Sequence, residues 1–291
     1  MDLGRALVRG DVPYRFRSSA MSTSVILSTY NSPRWLELVL VGYSAQDDRD
    51  FDIIVADDGS GPETAATIDA LRAELGLAIE HVWHEDDGFR KCAILNRAIE
   101  ASSADYLIFS DGDCIPRRDF VSEHHALRRT GHFLSGGYFK LPEKASARVE
   151  RRDIATGDLF DLRHLGSLGV SGWRLRRLGI GAATARLFDR FTPTRPSWNG
   201  HNASGWRTDI VRAKGFDERM RYGGEDRELG ERLENGGVRG VQIRHRAICL
   251  HLWHERGYVR DEHLRENRRI RDETQRSRRT STPFGLEQTK R

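Results

Sequence analysis

Four short apolar runs, each ending in polar residues, alternate along the first half of the chain with segments of helical periodicity. "TSVILST" (Thr23–Thr29) precedes "NSPRWLELVLVGY", whose apolar residues recur at helical spacing after Pro33, and "FDIIVADDGS" precedes "PETAATIDALRAEL". "AIEHVW" precedes "RKCAILNRAIEAS", and "DYLIFSDGDC" leads to a helix expected near Asp119–Thr130. Strand and helix exchanging over short connections predict a Rossmann-like, mostly parallel α/β sheet flanked by helices on both faces. Ligands of such sheets bind beyond the carboxyl ends of the strands. Tyr30–Asn31, Asp57–Asp58 and Asp111–Asp113 fall at those ends. No Gly-x-Gly-x-x-Gly follows the first strand and no phosphate-binding loop ending in Gly-Lys-Ser/Thr occurs, which disfavours dinucleotide and triphosphate sites.

From about Leu141 to Pro196 the alternation dissolves into a polar stretch and the arginine-rich "GWRLRRLGIGAATARLFDRF". Patterning returns with "WNGHNASGWRTDIVRAKGFDE" and with "GVQIRHRAICLHLWH", which reads as a strand. The expected organisation is an N-terminal extension (1–22), one domain with an insert (23–258) and a basic tail (259–291). Within the domain, 23–140 is the regularly alternating half, 141–196 the insert and 197–258 the half where patterning returns. The net charge of +4 conceals the insert, where six arginines between Trp173 and Pro196 face only Asp189. Such patches suit an anionic partner, and no nucleic-acid motif accompanies this one. Three unpaired-looking cysteines, no bilayer-length apolar run and a start without the apolar middle of a secretory signal point to the cytoplasm.

Several residues can carry chemistry. Asp111 and Asp113, two apart at a strand end, can meet one ligand; two close carboxylates repel unless a cation lies between them. Mn²⁺ or Mg²⁺ on a diphosphate would serve. "CLHLWH" supplies His251 and His254, and imidazole beside carboxylate favours Mn²⁺ over Ca²⁺. Asp58 can accept a hydrogen bond from a base N–H, or simply belong to a turn. Arg90 and Lys91 at a helix start gain nothing from the helix dipole and hint at a bound anion. In "RYGGEDRELGERL" a helix is expected from about Glu225. Gly223 and Gly224 either make a turn into it or clear space beside a substrate.

In order along the chain, "VILSTYN", "VADDGS", "HEDDGFRKCAILNRAI", "FSDGDCIP", "GFDERMRYGGEDRELGERL" and "HLWH" resemble the family 2 glycosyltransferases of the GT-A fold. The carboxyl-terminal part is similar to that of the galactosyltransferase and polypeptide N-acetylgalactosaminyltransferase groups, a combination also found in bacterial chondroitin polymerase domains. The resemblance implies that Ser28, Tyr30 and Asp58 hold the uracil of a UDP-sugar and that Asp86 and Arg90 order the nucleotide. Asp111 would touch ribose or metal, while Asp113 and His251 would ligate the metal. Asp226 matches the general base, with Glu225 and Trp198 contacting sugar or acceptor and Gly223–Gly224 letting the backbone pass close to the sugar. Tyr222 stands where the family usually has Trp, which bears on sugar and acceptor selectivity.

The implied reaction is an inverting, metal-dependent transfer of a hexose or N-acetylhexosamine to a glycan or lipid-linked acceptor in surface polysaccharide synthesis. Sugar nucleotidyl transfer would need a glycine-rich basic loop after the first strand, which "STYNSPRW" lacks; a non-catalytic module would not need both metal ligands and base. In the insert, Trp173, Leu175, Leu178, Leu187, Phe188 and Phe191 beside arginines suit either an anionic membrane surface or a lid over the sugar.

Overall fold

The computed structural model describes residues 21–255 and 259–287. The expected N-terminal extension, apart from Met21 and Ser22, lies outside the described residues, as do 256–258 and 288–291. The strands are β1 (Thr23–Thr29), β2 (Asp52–Asp57), β3 (Ile79–Trp83), β4 (Tyr106–Asp111), β5 (Cys114–Pro116), β6 (His132–Ser135), β7 (Gly137–Lys140), β8 (Asn202–Trp206), β9 (Arg239–Gln242) and β10 (Ile248–His251). A seven-stranded sheet runs β3-β2-β1-β4-β8-β6-β9, and a three-stranded one runs β5-β10-β7. β1, β2, β3 and β4 are mutually parallel, and β8 is antiparallel to both β4 and β6.

Alternation along the parallel strands divides the apolar side chains between two faces. Val25, Leu27, Val55 and Ile108 join one buried cluster, and Ile26, Ile54, Leu107 and Phe109 the other. The register aligns Ser28 with Asp111 and Thr29 with Asp57, so the carboxyl ends of the central strands meet at one edge. In the small sheet, His251 pairs with Cys114 across an antiparallel ladder, and the Leu252 amide donates to the Asp113 carbonyl at 2.8 Å. That register brings Asp113 to the end of β10.

The structure departs from the expected pattern in three places. "GVQIRHRAICLHLWH" is two strands in two sheets, because a turn over Ile243–Ala247 separates β9 from β10. Asp189 of the insert holds that turn, accepting from the His245 amide at 2.8 Å and from Arg246 Nε at 3.0 Å. The insert packs on the domain, with Leu141, Val149, Leu159, Leu165 and Leu178 buried in its core and Leu175 packed against it. Trp173, Leu187, Phe188 and Phe191 are exposed, so the six apolar residues do not act as one stripe. Within the basic tail, Asp261–Arg276 is a helix rather than a solvated extension. It packs on the helix Glu225–Asn235, where Thr274 donates to Glu228 Oε1 at 2.8 Å and Ile270 is buried.

Candidate active site

A cleft of about 1140 Å³ opens at the carboxyl edge of the large sheet. At its floor, Asp111 Oδ1 accepts from Ser28 Oγ and from Lys91 Nζ, each at 2.6 Å. Lys91 opens the helix Lys91–Ala101. Burial disfavours both charges, but each offsets the other's desolvation. The Asp111 carboxyl is thereby held well below the usual carboxylate range. Lys91, with Asp111 as its main favourable partner and Glu225 next, stays protonated well above the usual lysine range.

Beside this pair, Asp113, His251 and His254 place their ligand atoms within 4.8 Å of one another. Asp113 Oδ2 is 3.2 Å from His254 Nε2, and Oδ1 is 3.9 Å from His251 Nε2. His251 Nδ1 lies 2.6 Å from the Leu252 carbonyl, and His254 Nδ1 lies 2.8 Å from the Glu255 carbonyl. A carbonyl only accepts, so each Nδ1 carries the proton and each Nε2 turns a lone pair toward Asp113. Two imidazoles and a carboxylate so oriented fit a divalent cation of the Mn²⁺ type.

Across the cleft, Gly224 precedes the helix Glu225–Asn235 at φ 93° and Gly223 stands at φ 113°. Both lie in the left-handed region that favours glycine. A Cβ on Gly223 would come 2.3 Å from Leu264 Cδ2, and one on Gly224 3.2 Å from Arg271 Cδ. Side chains at these positions would project into the helix Asp261–Arg276, a packing reason for glycine, while both residues also line the cleft.

Asp226 faces the cleft, with Oδ2 accepting from the Gly200 amide at 3.0 Å and Oδ1 from the Arg227 amide at 2.7 Å. Glu225 is 7% exposed, and Oε2 accepts from the Gly223 amide at 2.8 Å. Burial, then the neighbouring Asp226 charge, pushes its carboxyl up to about 7, against the pull of Lys91. The adjacent carboxylates therefore differ in environment as well as position.

Ser28, Tyr30 and Asp58 line the cleft. The Tyr30 hydroxyl donates to Asp86 at 2.9 Å, a contact that raises the phenol's pKa. Asp58 accepts from the Arg90 amide at 3.0 Å and sits 2.8 Å from His84 Nε2; burial raises its pKa. Tyr222 and Gly224 are on the wall, Tyr222 with its ring edge-to-face on Phe89.

Three expected residues are not on the cleft wall, Asp86 among them, which reaches the site only through its contact with Tyr30. Arg90 pairs with Asp87 at 3.0 Å, so of the two cations opening that helix it is Lys91 that enters the site. Trp198 is fully buried between Phe109 and Phe133 and so contacts neither sugar nor acceptor. Missed altogether were His201, edge-on to Tyr138 at 4.4 Å, and the cleft-facing side of the last helix. His201 lies in "NGHNASGW", which carries no spacing signal.

Residues 24–129 match the model of glycosyl transferase family 2. The chain is 26% identical over 266 residues to the uncharacterized glycosyltransferase YfnE of Bacillus subtilis, covering 80% of this chain and 65% of that protein. In fold it is similar to S. aureus TarS 1–349 in complex with UDP-GlcNAc, with TM-score 0.60, 16% identity and coverage of 86% and 65%. It is also similar to the mannosyltransferase PcManGT from Pyrobaculum calidifontis in complex with GDP-Man and Mn²⁺, with TM-score 0.56, 21% identity and coverage of 83% and 59%. The fold is thus GT-A, and residues 24–129 are similar to glycosyl transferase family 2. The chain spans under two thirds of the length of each of these proteins.

Proposed function

We propose that this protein transfers a hexose or N-acetylhexosamine from a UDP-sugar, with inversion, to a hydroxyl of a glycan or lipid-linked acceptor in polysaccharide synthesis. The observation that carries this reading is the opening of the Asp113–His251–His254 cluster and the Glu225–Asp226 pair into one cleft. Residues 23–140 would serve the nucleotide and 197–258 the acceptor, the latter working as in the galactosyltransferase-like group. Ser28, Tyr30 and Asp58 would meet the base, with Asp86 steadying Tyr30.

Asp113, His251 and His254 would hold Mn²⁺ or Mg²⁺, which when bound offsets the charge of the diphosphate. Lys91 fixes Asp111 at the cleft floor and adds positive charge to the same region. Asp226, whose backbone contacts leave further lone pairs open, takes the acceptor proton as that oxygen bonds to the anomeric carbon and the bond to UDP breaks. Glu225, protonated below about pH 7, can donate a hydrogen bond to sugar or acceptor.

No helix among the described residues is long and apolar enough to cross a membrane. The exposed Leu187, Phe188 and Phe191, interleaved with Arg186 and Arg190, suit peripheral contact with an anionic leaflet on the cytoplasmic side.

A panel of UDP- and GDP-sugars screened for slow donor hydrolysis tests the reading without a known acceptor. UDP release that needs Mn²⁺ and stops in EDTA is expected. Absence of nucleotide release from every donor, or full turnover in excess EDTA, would overturn it.

A further inference from the structure

The last helix lays one face along the cleft. His263, Leu264, Arg268 and Arg271, with Arg260 just before the helix, recur at intervals of three and four and all line the cavity. The helix is seated on the wall that carries Glu225 and Asp226: Leu264 closes on Gly223, and Asn267 Nδ2 donates to the Arg221 carbonyl at 2.7 Å and the Gly223 carbonyl at 3.2 Å. Its side chains therefore stand over the acceptor side, whereas Ser28 and Asp58 come from β1 and the end of β2.

The arginines of this helix are not equivalent. Arg269, Arg271 and Arg276 are paired with Glu266, Glu231 and Asp272. Arg260 and Arg268, both exposed and on the cleft wall, have no carboxylate partner among the described residues. Arg265 also lacks one, but it lies off the cleft. Two unneutralised guanidiniums two turns apart beside a general base are suited to a doubly charged oxyanion, which guanidinium binds in bidentate fashion.

We infer that the acceptor carries a phosphate, and that Arg260 and Arg268 bind it while Asp226 meets the hydroxyl. The inference rests on the glycosyl-transfer reading and narrows its acceptor class. A soluble phosphate ester and a lipid phosphate share this chemistry.

The test uses the full chain with saturating UDP and Mn²⁺, titrated calorimetrically with phenyl phosphate and with phenol. Vesicles of phosphatidylcholine, with and without phosphatidic acid, form a second arm. Phenyl phosphate is expected to bind and phenol not, with Arg260→Gln or Arg268→Gln each weakening binding about tenfold, the loss of one charge-assisted contact. Arg265→Gln should change nothing. Weakening in the first arm alone assigns a soluble ester; weakening of phosphatidic-acid vesicle binding assigns a lipid phosphate. Unchanged binding of both ligands in Arg260→Gln and Arg268→Gln overturns the inference. So does a loss of UDP affinity in place of phosphate affinity, which would move the arginines to the donor. Phosphate binding is read without turnover, so its failure is distinct from failure of donor hydrolysis, which would remove the transfer reading instead.

Discussion

His254 Nε2 lies 3.2 Å from Asp113 Oδ2, nearer than His251 Nε2, whose closest approach to that carboxylate is 3.9 Å. The two rings are stacked 5.4 Å apart with 16° between their planes, and each is oriented by its own backbone carbonyl. A cation held here would therefore depend on both rings. His254→Ala is expected to weaken Mn²⁺ binding by at least about tenfold, and Asp113→Ala to abolish it, with the fold retained. Mn²⁺ titration followed by electron paramagnetic resonance measures this directly. Unchanged affinity in His254→Ala would leave His251 as the only imidazole of consequence.

The Lys91–Asp111 pair leads to a second expectation. Each side chain is 21% exposed, so removing one partner strands the other in a mostly dry site. Lys91→Gln should cost about 1–3 kcal/mol, below the figure for a fully buried pair. Acid sensitivity follows with a definite sign. Asp111 has a depressed folded-state pKa, so its stabilisation is present above the unfolded carboxylate value and is lost as pH falls below it. Urea unfolding of Lys91→Gln, Asp111→Asn and the double variant would show whether the losses are coupled; simple additivity would refute a direct pair.

How far the sequence spoke depends on the range of the interaction. Strands β1 to β4 and the helices between them were legible because their signals are local periodicities, and the carboxyl-end position of Asp111, Asp113 and Asp58 followed from the topology. That Asp113 meets His251 rests on a β5–β10 register that no local pattern encodes, yet strand ends and residue chemistry pointed to the pair. The split of β9 from β10 was not legible, since it depends on Asp189, more than fifty positions away. Trp198 misled for a similar reason: an aromatic near a polar segment looks alike whether it faces Phe109 or a sugar. The last helix has only Leu264 and Ile270 as apolar residues within it. It packs largely through Asn267, Thr274 and Arg271, so it read as a charged tail.

Glu225 predicts a pH dependence of opposite sense. Its folded-state pKa is raised to about 7 from an ordinary glutamate value near 4.5. The folded protein therefore binds the proton more tightly than the unfolded chain, and stability falls as pH rises from about 4.5 to 7. Glu225→Gln, neutral throughout, should remove this slope, a difference on the order of 3 kcal/mol across the window. Parallel slopes for wild type and variant in denaturant titrations at several pH values would show that Glu225 titrates normally. Asp226→Asn should by contrast abolish transfer while leaving UDP affinity unchanged.

Membrane contact through the insert has its own readout. Phe191 is 70% exposed and Leu187 53%, on a helix whose inner face is held by Ala185 and Asp189. Leu187→Ser with Phe191→Ser should reduce retention on phosphatidylglycerol vesicles at low salt, leaving donor hydrolysis intact. Equal retention of the variant would return these residues to ordinary surface.

The Gly223–Leu264 contact supports the last expectation. At φ 113° a side chain is strained, and its Cβ would also overlap Leu264 Cδ2 at 2.3 Å. Gly223→Ala should therefore combine about 1–3 kcal/mol of backbone strain with displacement of the last helix. Leu264→Ala in the same chain relieves the overlap but not the φ strain, so the double variant should recover only part of the loss. Because the turn leads directly into Glu225 and Asp226, the single variant should lower transfer more than donor hydrolysis. Hydrogen exchange would locate the change: faster exchange confined to 261–276 fits a displaced helix, whereas uniform protection there would show that the turn tolerates a side chain and that the glycines serve the cleft instead.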